Sequence, residues 1–405
     1  MRIGIDLACW ANNRGYGRYT RNLIRALLAT DRSHDYLGFG DHATLQANTF
    51  PTGLELVAVA LSEAPAQAAA SDGRRRAIDL WRMARAVQRA KLDVVFFPSS
   101  YTYFPVLGHA RAVVVVHDAI AERMPQLIFP NRAGRLAWTL KTRLACWQAQ
   151  RVVTVSQAAA GAIEQHLPIA HSRIRIIPEA ADPIFGPPAQ DVVARTRLAA
   201  LRKRFGIPPE AQIVLYVGGF GPHKNVGTLI EAFSRLVSSV ELPLHLVLVG
   251  QSVGEVFHSE VGALQEQLRR QSLGDRVTFT GFVPDSELVD WYHAAACLVL
   301  PSRDEGFGLP VAEAMACGTP VVASRVGALM EMVGDDAGLL FDPDRPEQLV
   351  AALMRLVSGD EAVQRQLSVA GLRRAATFSW EKAALALRAI FDELDPHQSL
   401  ALETS

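Results

Sequence analysis

The chain has 405 residues, 49% apolar and 20% charged, a make-up that points to a water-soluble globular protein long enough for two domains. Its 41 basic and 41 acidic side chains cancel, and no recognised nucleic-acid module accompanies the basic residues, so nucleic acid is not an expected partner. Cys9, Cys146, Cys297 and Cys317 are scattered without a C-x-x-C pair, which argues against a disulfide framework or a zinc site and for a reducing cytoplasm.

From the N-terminus, Met1–Leu7 reads as a buried strand rather than a signal peptide, and no apolar run reaches the ~18 residues of a spanning helix. Gly15-Tyr-Gly-Arg-Tyr-Thr20 follows that strand and precedes a helix beginning near Arg18. Its glycines let backbone N–H groups approach a phosphate, although an ordinary tight βα turn explains them equally well. Strands are predicted at Asp93–Phe97, Ala112–Val116 and Arg151–Val155, and the all-valine run suits a central parallel strand. His117-Asp118 leaves that strand as a polar pair, placed either to bind a ligand or to satisfy itself.

Residues 1–178 hold 22 Lys and Arg against 12 Asp and Glu, and the remainder reverse this with 19 against 29. Two amphipathic stretches carry much of the excess, Arg74–Lys91 and Arg123–Arg151, the second with six basic and no acidic residues and with Trp138 and Trp147 interleaved. Such helices either lie on an anionic lipid surface or are solvated faces whose tryptophans pack inward.

Pro178–Pro188, with four prolines, is the predicted linker. A second α/β series follows, with strands at Ile213–Val217, His245–Val249, Arg276–Thr280, Cys297–Leu300 and Pro320–Ala323 and helices at Val226–Val237 and Val256–Leu273. Gly218-Gly-Phe-Gly-Pro-His-Lys-Asn225 lies between strand and helix, where Lys224 can neutralise a diphosphate and His223 can assist if protonated. The Walker spacing is absent. Asp342-Pro-Asp344 resembles a D-x-D metal motif, but Asp344 is better placed as an N-cap before Arg345, and no metal is expected. Helix continues from Pro346, Ser379 caps a last helix, and the tail from His397 has no periodicity.

Pro301–Pro320 concentrates the chemistry. Pro310 suits a first helical turn and Gly318 the position after the helix, so Gly306, Phe307, Gly308 and Leu309 bring backbone N–H groups to a helix N-terminus. Glu305 and Glu313 bracket that anion seat. The arrangement fits a ligand carrying both phosphate and hydroxyls, or a buried βα turn with one capping Glu.

In order, Gly15–Thr20, His117-Asp118, Ile177–Phe185, Tyr216–Asn225, Gly281–Leu288 and the E-x7-E segment Glu305–Glu313 resemble the retaining GT-B glycosyltransferases of family 4 (glycosyl transferases group 1), particularly mannosyltransferases. The resemblance runs almost end to end. It implies an α/β GT-B fold, two Rossmann-like parallel-sheet domains facing an interdomain cleft. Residues 1–178, with a crossing helix at about 379–395, would bind acceptor, and 189–378 would bind the nucleotide sugar.

By that likeness Lys224 contacts the diphosphate of the nucleotide sugar, with Gly219, His223 and the N–H groups of 306–309 around it. Glu305 takes the hydroxyls of the transferred sugar, Glu313 the ribose, and the backbone at Phe282 and Val283 the base. His117 lies by the reacting carbon, and Gly15 and Gly17 beside the phosphates. Catalytic roles fall to His117, Lys224 and Glu305. The chain departs from the family in carrying His223 where arginine is usual and Ala180-Ala181 where a glycine is usual.

The implied activity is transfer of a hexose to a saccharide or lipid-linked acceptor in polysaccharide or glycolipid assembly. It would be metal-independent, with no cofactor beyond the nucleotide sugar and GDP-mannose favoured over a UDP-sugar. The implied place is the cytoplasm, peripheral to an anionic membrane through the basic N-terminal domain. A nucleotide-sugar epimerase of similar fold, or a non-catalytic binding protein that kept it, are the alternatives.

Overall fold

The computed structural model describes residues 1–12, 15–62, 76–189, 192–251 and 260–395. It divides into two compact units. The first comprises Met1–Pro125, Phe129–Glu179 and the chain from Ser379 onward, and the second Gln126–Ile128 and Ala180–Phe378.

The first unit is built on a seven-stranded sheet, all of whose pairings are parallel. Its strands are β1 (Arg2–Asp6), β2 (Asp35–Asp41), β3 (Leu54–Val59), β4 (Val94–Phe97), β5 (Arg111–Val115), β6 (Ala149–Thr154) and β7 (Ile174–Ile176), in the order β3-β2-β1-β4-β5-β6-β7. Val113, Val114 and Val115 of β5 are fully buried, as a strand covered on both faces requires. The helix Trp380–Glu393 belongs to this unit. Ser379 caps it by accepting from the Lys382 N–H at 3.1 Å, and Trp380 and Phe391 set their rings 5.8 Å from Tyr19 and Phe96.

Three strands of this sheet are not revealed by apolar runs. β2 contains Gly38 and Gly40, which read as breakers. In the fold a Cβ on Gly38 would stand 2.5 Å from Leu7 Cδ1, and one on Gly40 2.9 Å from Leu45 Cδ2. These glycines admit neighbouring leucines rather than turning the chain. β3 lies at the sheet edge with most of its residues part-exposed or exposed, and β7 has only three residues.

The second unit has a six-stranded sheet, again wholly parallel in its pairings. β8 (Gln212–Val217), β9 (Leu244–Val249), β10 (Val277–Gly281), β11 (Ala295–Leu300), β12 (Val321–Ser324) and β13 (Leu339–Phe341) are ordered β10-β9-β8-β11-β12-β13. Tyr216, Phe233, Trp291, Tyr292 and Phe341 are fully buried around it. The helix expected over Val256–Leu273 is seen as Val261–Arg270, its first expected residues and the tail from His397 lying outside the described residues.

The strand orders locate where ligands can bind. In each sheet the chain moves outward one way and then returns to the other side, between β1 and β4 in the first unit and between β8 and β11 in the second. At such a switch point the loops leaving the carboxyl ends part in opposite directions and open a crevice.

Candidate functional site

In the second unit the loops after β8 and β11 carry Lys224 and Glu305 to the switch point. Lys224 sits in a short 3-10 turn, Pro222–Lys224, which Asn225 ends in the left-handed region at φ 56°. The buried Asn225 side chain donates from Nδ2 to Pro301 O at 3.1 Å and to Pro343 O at 3.3 Å, and its Oδ1 accepts from Thr228 Oγ1 at 2.9 Å. Arg303 N–H donates to His223 O at 2.8 Å. These bonds fasten the two loops together.

Lys224 Nζ then donates to Glu305 Oε1 at 2.7 Å, and Ser302 Oγ donates to the same oxygen at 2.6 Å. Burial alone would raise the Glu305 carboxyl, but Lys224, then Ser302, hold it below the usual carboxylate range. Glu305 is therefore an ionised acceptor.

The helix Leu309–Ala316 begins one residue after Gly308, which adopts φ 94°. A Cβ there would lie 2.6 Å from Leu329 Cδ2, so the position needs glycine twice over. Pro310 occupies the first turn and Gly318, at φ 75°, follows the last, as the sequence implies. The N–H groups of Phe307, Gly308 and Leu309 donate to no acceptor among the described residues. They lie at a helix N-terminus on the loop that carries Glu305.

Two expectations in this unit are corrected. His223 is not a titratable helper, because burial, then the adjacent Lys224, push its imidazole down to about 3 despite Glu305. Its ring is neutral, and its buried Nδ1 has no partner. Glu313 does not present a carboxylate to a ribose in this arrangement. The residue is 0% exposed, and Tyr292 donates its hydroxyl to Oε2 at 2.8 Å.

Gly219 lies in the β8 loop, its carbonyl accepting from the Tyr216 hydroxyl. Phe282 and Val283 follow β10, with the Phe282 ring exposed and Val283 buried. Asp344 is not an N-cap, since the helix runs Pro346–Val357 and its N-cap residue is Arg345. The Asp344 carboxylate pairs with Arg303 and its N–H donates to Asp342 Oδ1 at 3.0 Å.

In the first unit, the helix Gly15–Thr30 starts after β1, with Gly17 in contact with the loop before it. A Cβ on Gly17 would fall 1.7 Å from Asn12 O, and Arg21 Nη1 donates to Trp10 O and Asn12 O at 2.7 and 2.8 Å. Gly15 has no atom within 4 Å of its Cβ position.

His117 leaves β5 and is 7% exposed. Its Nε2 lies 3.1 Å from Pro98 O and its Nδ1 3.1 Å from Glu179 Oε1. The Tyr16 and Tyr19 rings meet it edge-on at 4.9 and 4.6 Å. Both nitrogens thus face an oxygen of the first unit. Glu179, Ser302, Tyr16 and Tyr19 carry no local signal of these roles, since only the fold brings them to their partners.

The two basic stretches differ. Trp138 turns inward, its Nε1 donating to Glu122 Oε1 at 2.7 Å. Trp147 is 73% exposed, in one stripe with Leu136 at 61%, Leu140 at 62% and Leu144 at 38%. Arg132, Arg135 and Arg143 are exposed on the same helix, Arg132–Gln148. In the other helix, Ala77–Arg89, Ile78 and Trp81 are exposed, and Arg74 and Arg75 lie outside the described residues. No helix of the described residues is long and apolar enough to cross a membrane.

Two family models match, Glycosyltransferase Family 4 over residues 13–184 and Glycosyl transferases group 1 over 199–371. The chain is 31% identical to the D-inositol 3-phosphate glycosyltransferase of Segniliparus rotundus, over 60% of this chain and 52% of that one. It is 38% identical to the O-antigen chain mannosyltransferase B of Escherichia coli, over 41% of this chain and 42% of that one. The chain therefore spans about half the length of the curated relatives it matches. Among solved structures, the sucrose-phosphate synthase of Thermosynechococcus elongatus superposes with a TM-score of 0.74 at 22% identity, covering 97% of this chain and 99% of that one.

Proposed function

As the chain belongs to the group 1 (family 4) glycosyltransferases and has their GT-B fold, we propose that it moves a hexose from a nucleoside diphosphate sugar to a saccharide or lipid-linked acceptor. The observation that carries this reading is the Lys224–Glu305 pair beside the unpaired N–H groups of 307–309 at a switch point. Breaking the bond between sugar and diphosphate leaves negative charge on the departing oxygen. Lys224 and the N–H groups are preorganised to receive that charge. Glu305, held ionised, accepts from hydroxyls of the transferred sugar. The Phe282–Val283 backbone, two strands from β8, serves the base.

The reaction is read as retaining, the departing phosphate helping to deprotonate the acceptor on the same face. His117 in the first unit is the third residue assigned to the chemistry, by its likeness to the family pattern. A mannosyl group carried on GDP is favoured, and the likeness to an O-antigen chain mannosyltransferase supports it. No cofactor beyond the nucleotide sugar is assigned. Incubation with labelled GDP-mannose, UDP-glucose and UDP-galactose and with saccharide or lipid-linked acceptors tests the reading. Acceptor-dependent transfer is expected. Interconversion of sugars without acceptor would favour the epimerase instead.

The exposed Leu136, Leu140, Leu144 and Trp147, flanked by arginines on a helix without acidic residues, support docking on an anionic lipid surface.

A further inference from the structure

We propose that Glu179 is the positioning residue for His117, keeping one proton within the buried pair so that His117 Nε2 is always a hydrogen-bond donor. The proposal rests on the glycosyltransferase reading for its consequence and on geometry for its chemistry. His117 and Glu179 are each 7% exposed, and the ring faces one oxygen at each nitrogen, Pro98 O at Nε2 and Glu179 Oε1 at Nδ1, both at 3.1 Å. A carbonyl can only accept, so Nε2 must carry its proton. A neutral imidazole then offers a lone pair at Nδ1, which would face a carboxylate lone pair inside the protein.

Two protonation states remove that conflict. Either the ring is an imidazolium donating to both oxygens, or Glu179 is protonated and donates to Nδ1. Each holds one shared proton, and each leaves Nε2–H as donor. Without that proton the Nδ1–Oε1 contact turns repulsive and the ring loses its anchor. The second-site logic matches other histidines whose one nitrogen is set by the bond the other makes.

Other groups against the ring do not supply the proton. Burial, then Tyr101 and Asp118, push the Tyr16 phenol well above its ordinary range, and burial, then Glu179, do the same to Tyr19. Asp118, next in the chain, accepts from Ile120 N–H at 3.0 Å. Glu179 ends the stretch Phe129–Glu179 of the first unit, at the start of the proline-rich segment.

The test uses the full chain and two substitutions. Glu179→Gln can donate an amide N–H to Nδ1 of a neutral ring, preserving geometry with no proton to lose. Glu179→Ala cannot. In ¹⁵N-histidine spectra, with the His117 signals identified by their loss in His117→Asn, the parent should show Nε2 protonated at neutral pH. Glu179→Gln should show a neutral ring with Nε2–H.

In transfer assays Glu179→Gln should keep most of the parent kcat, and Glu179→Ala should lose on the order of tenfold or more, the scale seen when a hydrogen-bond partner orienting a histidine is removed. An unprotonated Nε2 in the parent, or a Glu179→Gln variant as impaired as Glu179→Ala, overturns the proposal. If no nucleotide sugar supports transfer by the parent, the activity reading fails while the spectra still decide the pair.

Discussion

Lys224 Nζ and Glu305 Oε1 stand 2.7 Å apart, although 81 residues separate them in the chain and they follow different strands. The pair joins the cation expected at the diphosphate to the carboxylate expected at the sugar. Lys224→Ala should lower kcat by about 100-fold or more, the cost of one preorganised donor at a developing oxyanion. It also strands a part-buried carboxylate, at about 1–3 kcal/mol. Lys224→Ala/Glu305→Gln should therefore recover much of the lost Tm without recovering activity. A single variant that transfers sugar like the parent would remove Lys224 from the site.

Acid should destabilise the second unit through two groups of that site. His223 titrates at about 3 in the folded chain, whereas an unperturbed histidine does so near ~6.5. Between those values the unfolded chain binds the additional proton, so stability declines as pH falls through that window. Glu305 acts in the same sense, because its carboxyl is lowered by Lys224 against the effect of burial, and its stabilisation is lost as it protonates. Melting curves between about pH 4 and 7 should show a shallower acid loss for His223→Gln. Parallel slopes would show that the imidazole is not held neutral.

Tyr292→Phe probes the enclosed Glu313. Removing the hydroxyl that donates to Oε2 at 2.8 Å leaves a carboxylate that is 0% exposed with one partner fewer. A loss of about 1–3 kcal/mol is expected from denaturant titration, the range for a buried polar group left without its partner. An unchanged midpoint would mean that the carboxylate is satisfied without Tyr292.

The chain revealed more of its strand ends than of its edges. β5 and β8 are runs that cannot turn a polar face outward, so their positions and the loops after them were legible. β2 was hidden, because Gly38 and Gly40 signal flexibility in sequence and yet serve here to admit Leu7 and Leu45. At the site, residue types signalled a cation and a carboxylate, which the fold pairs. They did not foretell that His223 would be too desolvated to ionise, that Glu313 would be enclosed, or that Glu179 would meet His117 across 62 residues. Those depend on distances between loops, which no local pattern encodes.

Gly15 and Gly17, two residues apart in one motif, should respond oppositely to alanine. At Gly15 the Cβ position has no atom within 4 Å, so Gly15→Ala should keep the parent Tm and fold. At Gly17 the Cβ would lie 1.7 Å from Asn12 O, a backbone atom held by Arg21, so the loop must move. Gly17→Ala should lose about 1–3 kcal/mol, typical of overpacking, and nucleotide-sugar affinity should fall if that loop lies beside the phosphates. Equal melting temperatures for both variants would contradict the close approach.

The helix Arg132–Gln148 offers the last test, because its stripe is left exposed among the described residues. Leu136 and Leu140 are 61% and 62% exposed, so replacing both with Asp should cost the fold little while placing anions among Arg132, Arg135 and Arg143. Sedimentation with vesicles containing anionic lipid should capture the parent at low salt and release it as salt rises, since screening shortens the reach of surface charge. The double variant should remain in the supernatant, yet transfer sugar to a water-soluble acceptor at the parent rate. Loss of both properties together would point to a folding role for the stripe. Retention on vesicles despite two added carboxylates would move the docking face elsewhere in the basic first unit.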